Sequence, residues 1–225
     1  MNKVAVVTGA NKGIGKCSVE MLLERGYKVY GICRSGCSTT HADFTCLHCD
    51  VRNYEEVKRC VQQVIEKEGR VDVLINNAGL GYFAECEKLE IEKWHEMFDT
   101  NVNGLFYFTR EILPAMKQQG SGHIFNIAST AALEGYVQVS AYCATKFAVR
   151  GFSDALYKEV RDHGIKVTCV YPGSTKTDFF RHSENIKPHN NMMMPEDVAA
   201  QMMHALDTPP MFHVVNLEMR PLNPK

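Results

Sequence analysis

Two tyrosine–lysine pairs in this chain have the spacing of a proton-transfer device. Tyr142 and Lys146 lie four residues apart in SAYCATKFAVRGF (140–152), and Tyr54 and Lys58 lie four apart in NYEEVKRC (53–60). On a helix, residues at this spacing share a face, so phenol and ammonium are held close together. A free phenol titrates near pH 10 and is a poor base at neutral pH. A neighbouring ammonium favours the phenolate, and a shift of two or three units corresponds to roughly 3–4 kcal/mol. Such a pair also arises by chance about once in a chain with nine tyrosines, so spacing alone selects neither pair. Context differs: a serine, Ser129, stands thirteen residues before Tyr142, whereas the corresponding position before Tyr54 is His41.

A second candidate is the glycine-rich stretch TGANKGIG (8–15), which follows the apolar run KVAVV (3–7). Glycines there allow a tight turn and a close approach by phosphate, and the helix that follows offers free N–H groups. The stretch is not a P-loop, because Ala10 replaces the first glycine and Cys17 the Mg²⁺-binding hydroxyl. It also misses the G-x-G-x-x-G fingerprint, since its glycines fall at Gly9, Gly13 and Gly15. A third candidate is Cys46-Leu47-His48-Cys49, with His41 upstream. No second ligand pair follows at regular spacing, so the nine cysteines are read as reduced thiols and no metal is assigned.

The elements that must position these residues alternate between strand and helix. Strands are expected at 3–7, 27–33, 45–51, 71–77, 122–129, 165–172 and 211–219. Helices are expected at 16–26, 53–68, about 88–118, about 141–162 and 195–207, the third interrupted at Asn101–Gly104 and Pro114. Apolar strands alternating with helices predict one α/β domain over residues 1–225, a doubly wound parallel sheet covered on both faces. The segment RSGCSTTHADF (34–44) is too short for a full crossover helix, so that helix is expected to be missing or reduced, exposing the sheet beside its second strand. A net charge of −1 without a basic cluster argues against nucleic acid or an anionic membrane as partner. KVAVV runs straight into TGANKG, without a signal-type apolar region, and no apolar run is long enough to span a bilayer. The expected location is cytoplasmic.

TGANKGIG at 8–15, NNAG at 76–79, Ser129 with Tyr142-x-x-x-Lys146, and Pro172-Gly173 occur in an order that resembles the short-chain dehydrogenases/reductases, from about residue 3 to 219. The resemblance implies a Rossmann-type seven-stranded sheet of order 3-2-1-4-5-6-7 with a nicotinamide dinucleotide along its C-terminal edge. It assigns Gly9, Asn11, Lys12, Gly13, Ile14 and Gly15 to the phosphates, Asp50 and Val51 to the adenine, and Asn77, Ala78 and Gly79 to the adenosine ribose. Cys33 and Arg34 stand where an NAD-binding acid would be, and Lys12 adds a second cation, so NADP(H) is expected in preference to NAD(H). Tyr142 is the implied acid/base, Lys146 its modulator and ribose ligand, and Ser129 the partner of the substrate oxygen. Asn101, rather than Asn103, is the implied anchor of a proton-relaying water. Pro172, Gly173, Thr175 and Thr177 are assigned to the nicotinamide.

A substrate loop is expected at 178–195, with Phe179, Phe180 and Met192–Met194 as a lid or as core packing, and with Gly81, Tyr82, Leu133, Tyr136 and Val139 lining the rest. The implied partner is a small carbonyl or alcohol compound. The implied assembly is a homodimer or homotetramer through the helices at about 88–118 and 141–162. The tail VVNLEMRPLNPK resembles the branch with 3-hydroxy acid, serine and broad alcohol dehydrogenases. A 3-oxoacyl thioester reductase and a non-catalytic NADP-sensing or scaffold protein are the alternatives.

Overall fold

A computed structural model describes residues 2–179 and 190–223. The valine- and isoleucine-rich runs form strands β1 (Val4–Thr8), β2 (Lys28–Cys33), β3 (Phe44–His48), β4 (Val73–Asn76), β5 (Gly122–Ile127), β6 (Ile165–Pro172) and β7 (Asn216–Met219). They build one parallel sheet in the order β3-β2-β1-β4-β5-β6-β7, as expected. The helices are α1 (Gly13–Glu24), α2 (Tyr54–Glu68), α3 (Ile91–Phe98), α4 (Gly104–Gln119), α5 (Ser140–Val160) and α6 (Pro195–Leu206). Both faces are covered: α2, α4 and α5 press Val61, Phe108, Ile112 and Leu156 onto one, and α1 and α6 press Leu22, Val198 and Met202 onto the other. Strand β1 pairs with β2 on one side and β4 on the other, so the chain reverses direction across the sheet there and leaves a crevice at the strand ends.

Several boundaries differ from expectation for physical reasons. Helix α1 begins at Gly13, three residues early, because the glycine loop already turns into it. Strand β3 stops at His48, and β7 is four residues long. Pro114 does not interrupt α4. It sits on the exposed side, where the carbonyl it leaves unpaired can face water. The expected interruption at Asn101 is real: Asp99–Asn103 forms a π-helical turn between α3 and α4.

The crossover helix between β2 and β3 is absent, as its short segment required. Strand β2 itself is buried from Val29 to Cys33. The exposure expected beside it falls on the edge strand β3. Among the described residues no helix is long and apolar enough to cross a membrane.

Candidate active site

A cavity of about 990 Å³ opens along the C-terminal ends of the strands. At one end lies the glycine loop. Gly9 adopts φ +65°. The Asn77 amide donates to the carbonyls of Thr8 and Gly9 (2.9 and 3.2 Å), while the Thr8 hydroxyl accepts from the N–H groups of Asn77 and Ala78 (3.0 and 2.9 Å). The end of β1 and the NNAG turn are thereby fastened as one floor. A Cβ on Gly15 would run into the Gly9 carbonyl oxygen and the Asn77 amide, so Gly15 holds the helix against the loop and does not line the cavity.

Gly9, Asn11, Lys12, Gly13 and Ile14 do line it. The N-terminus of α1 has no side-chain cap and no acid in its first turn, so its N–H groups and positive dipole end face the cavity unneutralised. Arg34 and Ser35 form the adjoining wall, and the Asn11 amide donates to the Ser35 hydroxyl at 3.0 Å. Lys12 pairs loosely with Asp178 at 3.5 Å. Asp50, Val51, Ala78 and Gly79 complete this half. The hydrogen-bonded Arg52 guanidinium holds the Asp50 carboxyl below its usual range.

The other half is built on α5. Tyr142 and Lys146 are both buried, 7% and 4% exposed, and both line the cavity with Ser129. The Lys146 ammonium donates to the Ile127 carbonyl at 2.8 Å and lies 5.6 Å from the centre of the Tyr142 ring. Burial pushes Lys146 down to about 8. Burial also raises the Tyr142 phenol, with a hydrogen bond from Ser129 acting the other way. Desolvation dominates, and the lowering expected from Lys146 is not among the influences on the phenol in the protein alone. Tyr142 is held as an acid.

Asn101 is buried on the π-turn, and both N–H groups of its amide are used. It accepts from Leu80 N–H (2.9 Å) and donates to the Leu80 carbonyl (2.9 Å) and the Thr145 hydroxyl (3.1 Å). Its side chain positions the segment after NNAG against α5, behind the cavity wall. Asn103 turns back to Asp99 at 2.8 Å.

Pro172, Gly173, Thr175 and Thr177 lie along the cavity after β6. The base of the expected substrate loop is clamped by two bonds, Lys176 N–H to the Met193 carbonyl (2.8 Å) and Met193 N–H to the Ser174 carbonyl (3.0 Å). Met192 is buried and Met193 packs on the core, while Phe180 lies outside the described residues. Gly81, Tyr82, Tyr136 and Val139 line the cavity as expected. Leu133 does not: it packs with Leu105 and Ala128 beneath the sheet.

A model of the short chain dehydrogenase family matches residues 3–187 of this chain. The chain belongs to the short-chain dehydrogenase family. An uncharacterized oxidoreductase of Staphylococcus haemolyticus is 34% identical over 227 residues, covering 98% of this chain and 97% of the relative. The closed form of a serine dehydrogenase in complex with NADP⁺ superposes with a TM-score of 0.89 at 30% identity, covering 97% of this chain and 95% of that one. An alcohol dehydrogenase of the archaeon Thermococcus sibiricus, complexed with 5-hydroxy-NADP, gives 0.89 at 28% identity and covers the whole of both chains.

Within this short-chain dehydrogenase, sequence reasoning missed two parts of the cavity, the first being Phe83, which joins the Phe179 expected as a lid or core residue. Phe83 stands 5.9 Å and Phe179 5.4 Å from the Tyr142 ring, and they lie 6.1 Å from each other, walling the phenol with aromatic surface. A side chain on Gly81 would collide with both, which is a signal the glycine itself carried. The second is the C-terminal tail. Arg220 reaches back to Glu134 (2.8 Å), which also accepts from the Tyr136 hydroxyl (2.7 Å), closing the cavity rim over 86 residues of sequence.

Proposed function

We propose that this chain is an NADP(H)-dependent oxidoreductase that interconverts a carbonyl compound and a secondary alcohol, with Tyr142 as general acid/base. The observation that carries the reading is a single cavity with an uncapped helix N-terminus and Arg34 at one end and Ser129, Tyr142 and Lys146 at the other. The fit to a dinucleotide rests on the donors the protein leaves available. The α1 N–H groups suit phosphate, and the buried Lys146 ammonium spends one of its three donors on Ile127. Arg34 and Lys12 would hold a 2′-phosphate that an acid in their place would repel. Asp50 and Val51 would take the adenine, Asn77, Ala78 and Gly79 would lie under the ribose, and Thr175 and Thr177 would hold the carboxamide. The NADP-bound serine and alcohol dehydrogenases support this choice.

When bound, the nicotinamide supplies or accepts the hydride. Ser129 holds the substrate oxygen beside Tyr142, and the protonated phenol donates to the alkoxide that develops as the carbonyl is reduced. Lys146 holds the ribose hydroxyls and keeps a positive charge near the phenolate that remains. Phe83 and Phe179 exclude water from the reacting oxygen. Among the described residues, the one guanidinium at the substrate end, Arg220, is already engaged by Glu134 and Glu218. That arrangement favours an uncharged ketone or aldehyde with an apolar flank over a carboxylate substrate.

The test is NADPH oxidation against a panel of ketones, aldehydes, 3-oxo esters and 3-oxo acids, with Tyr142→Phe in parallel. The expected outcome is turnover on uncharged carbonyls that falls about 10²–10⁴-fold in the variant, with NADPH affinity retained. Tight NADPH binding without turnover on any substrate would replace the enzyme by a cofactor sensor.

A further inference from the structure

The nine cysteines are all unbridged, and three of them converge. Cys33 ends β2, Cys46 lies in β3, and Cys37 comes from the segment that replaces the crossover helix. Their sulfurs are 3.3 Å (Cys33–Cys37), 3.6 Å (Cys33–Cys46) and 2.9 Å (Cys37–Cys46) apart. This is not the Cys46–Cys49 pair that the sequence brings to notice, because Cys49 lies beyond the end of β3 and is wholly buried. Cys33 and Cys46 share one face of the sheet: Cys33 pairs with His48 and Cys46 with Gly31, each two residues from the other. Gly36, at φ +79°, turns the chain so that Cys37 folds back onto them.

We propose that Cys33, Cys37 and Cys46 form a thiolate site for one thiophilic cation, Zn²⁺ or Cu⁺, that staples the β2–β3 connection. The sulfurs need only open by up to ~0.9 Å to reach the ~3.7 Å spacing of a tetrahedral thiolate set. A point ~1.3 Å above the plane of the three sulfurs lies ~2.3 Å from each, which is the zinc–thiolate bond length. Among the described residues no fourth histidine, cysteine or carboxylate joins the cluster, so the ion would keep one position for solvent. Soft thiolate sets select Zn²⁺ and Cu⁺ over Mg²⁺ and Ca²⁺. A right-handed crossover would place the missing helix on this same face, beside α1. A metal clip there closes a segment that has no helix to pack it, and binding free energy becomes folding free energy. The three thiols release protons as they bind. Arg34 and Ser35 lie between two of the ligands, so occupancy would also fix the wall of the cavity next to the glycine loop. That effect on NADPH rests on the cofactor reading above, whereas metal binding does not.

The experiment uses the full chain, reduced, freed of metal with a chelator and kept without oxygen. It is titrated with Cd²⁺ as spectroscopic probe, and with Zn²⁺ and Cu⁺ in separate arms. Expected are one ion per chain, a thiolate-to-cadmium charge-transfer band, proton release and a higher melting temperature. Saturable binding in either physiological arm supports the site and says which ion it takes. Cys46→Ser, at an exposed strand position, and Cys37→Ser should each lose the band and weaken binding by more than the ~10–100-fold that outer-shell partners cost. Cys86→Ser, exposed and remote from the cluster, should keep both. A band that survives in Cys37→Ser and Cys46→Ser would overturn the proposal. So would a chain that takes up no ion and in air forms a Cys37–Cys46 disulfide, which would make the cluster a redox pair. NADPH affinity, measured with and without the ion, is read separately, so failure of the cofactor reading leaves the metal result intact.

Discussion

Tyr142 and Tyr54 have the same partner four residues on, and their surroundings separate them. The Tyr54 hydroxyl donates to Glu111 at 2.8 Å and accepts from Arg110 at 2.9 Å, on the outside of α2 and α4. Tyr54→Phe should therefore leave turnover within about twofold of wild type, the usual range for a surface change, in the assay where Tyr142→Phe loses it. Lys146 makes a different prediction. Burial holds it at about 8 against an ordinary 10.5, so below pH 8 the folded protein keeps a charged amine in a dry site, costing about 3 kcal/mol. The unfolded chain binds that proton up to about 10.5, so this group makes stability rise as pH goes from about 8 to about 10.5. Lys146→Met removes the group, and its urea midpoint should lack that rise. A wild-type minus variant difference that stays flat across this window would refute the burial argument. Ser129, Tyr142 and Lys146 were legible in the sequence because their spacing is fixed by one strand end and one helix. Phe83 and Arg220 were not, since each reaches the phenol or the rim from an element whose placement no local pattern encodes.

Element boundaries show what local patterns record and what they leave out. The β-strand runs and the short 34–44 segment were readable because apolar periodicity and chain length are properties of sequence alone. The path of the 34–43 segment was not, because it has no periodicity and Gly36 turns it at φ +79°. Pro114 misled for a related reason: proline ends a helix unless the lost bond can be met by solvent, and exposure is decided by packing. The glycine loop is the element where sequence and structure constrain each other most tightly. Gly15→Ala would set a methyl group against the Gly9 carbonyl and the Asn77 amide, both already committed to the floor of the cavity. A destabilisation of about 1–3 kcal/mol is expected from such overpacking, read as a lower urea midpoint. NADPH affinity should fall with it, since the displaced helix carries the N–H groups facing the cavity. Wild-type stability in Gly15→Ala would show that the helix can slide without cost.

At the scale of the molecule, the two helices that frame the catalytic half also carry apolar side chains outward. Phe106 on α4 and Phe147 on α5 are each 44% exposed. Phe106 meets Phe152 of α5 edge-on at 6.2 Å, so an aromatic contact joins the two helices. Large exposed aromatics on neighbouring elements cost solubility unless another surface covers them. The sheet and its two helical layers already bury a core of their own, and a second copy of the chain could supply that covering surface. A two-fold pairing of α4 and α5 with their own copies would satisfy it, because each chain offers the same patch to the other. It would also brace α5, and with it Tyr142 and Lys146, against motion during turnover. Light scattering after gel filtration should give the mass of a dimer or tetramer, and Phe106→Glu with Phe147→Glu should lower it to one chain of 25.4 kDa. Circular dichroism should stay unchanged, since neither side chain enters the core. A wild-type chain that elutes as a monomer would leave those aromatics for a different partner and remove the bracing argument with them.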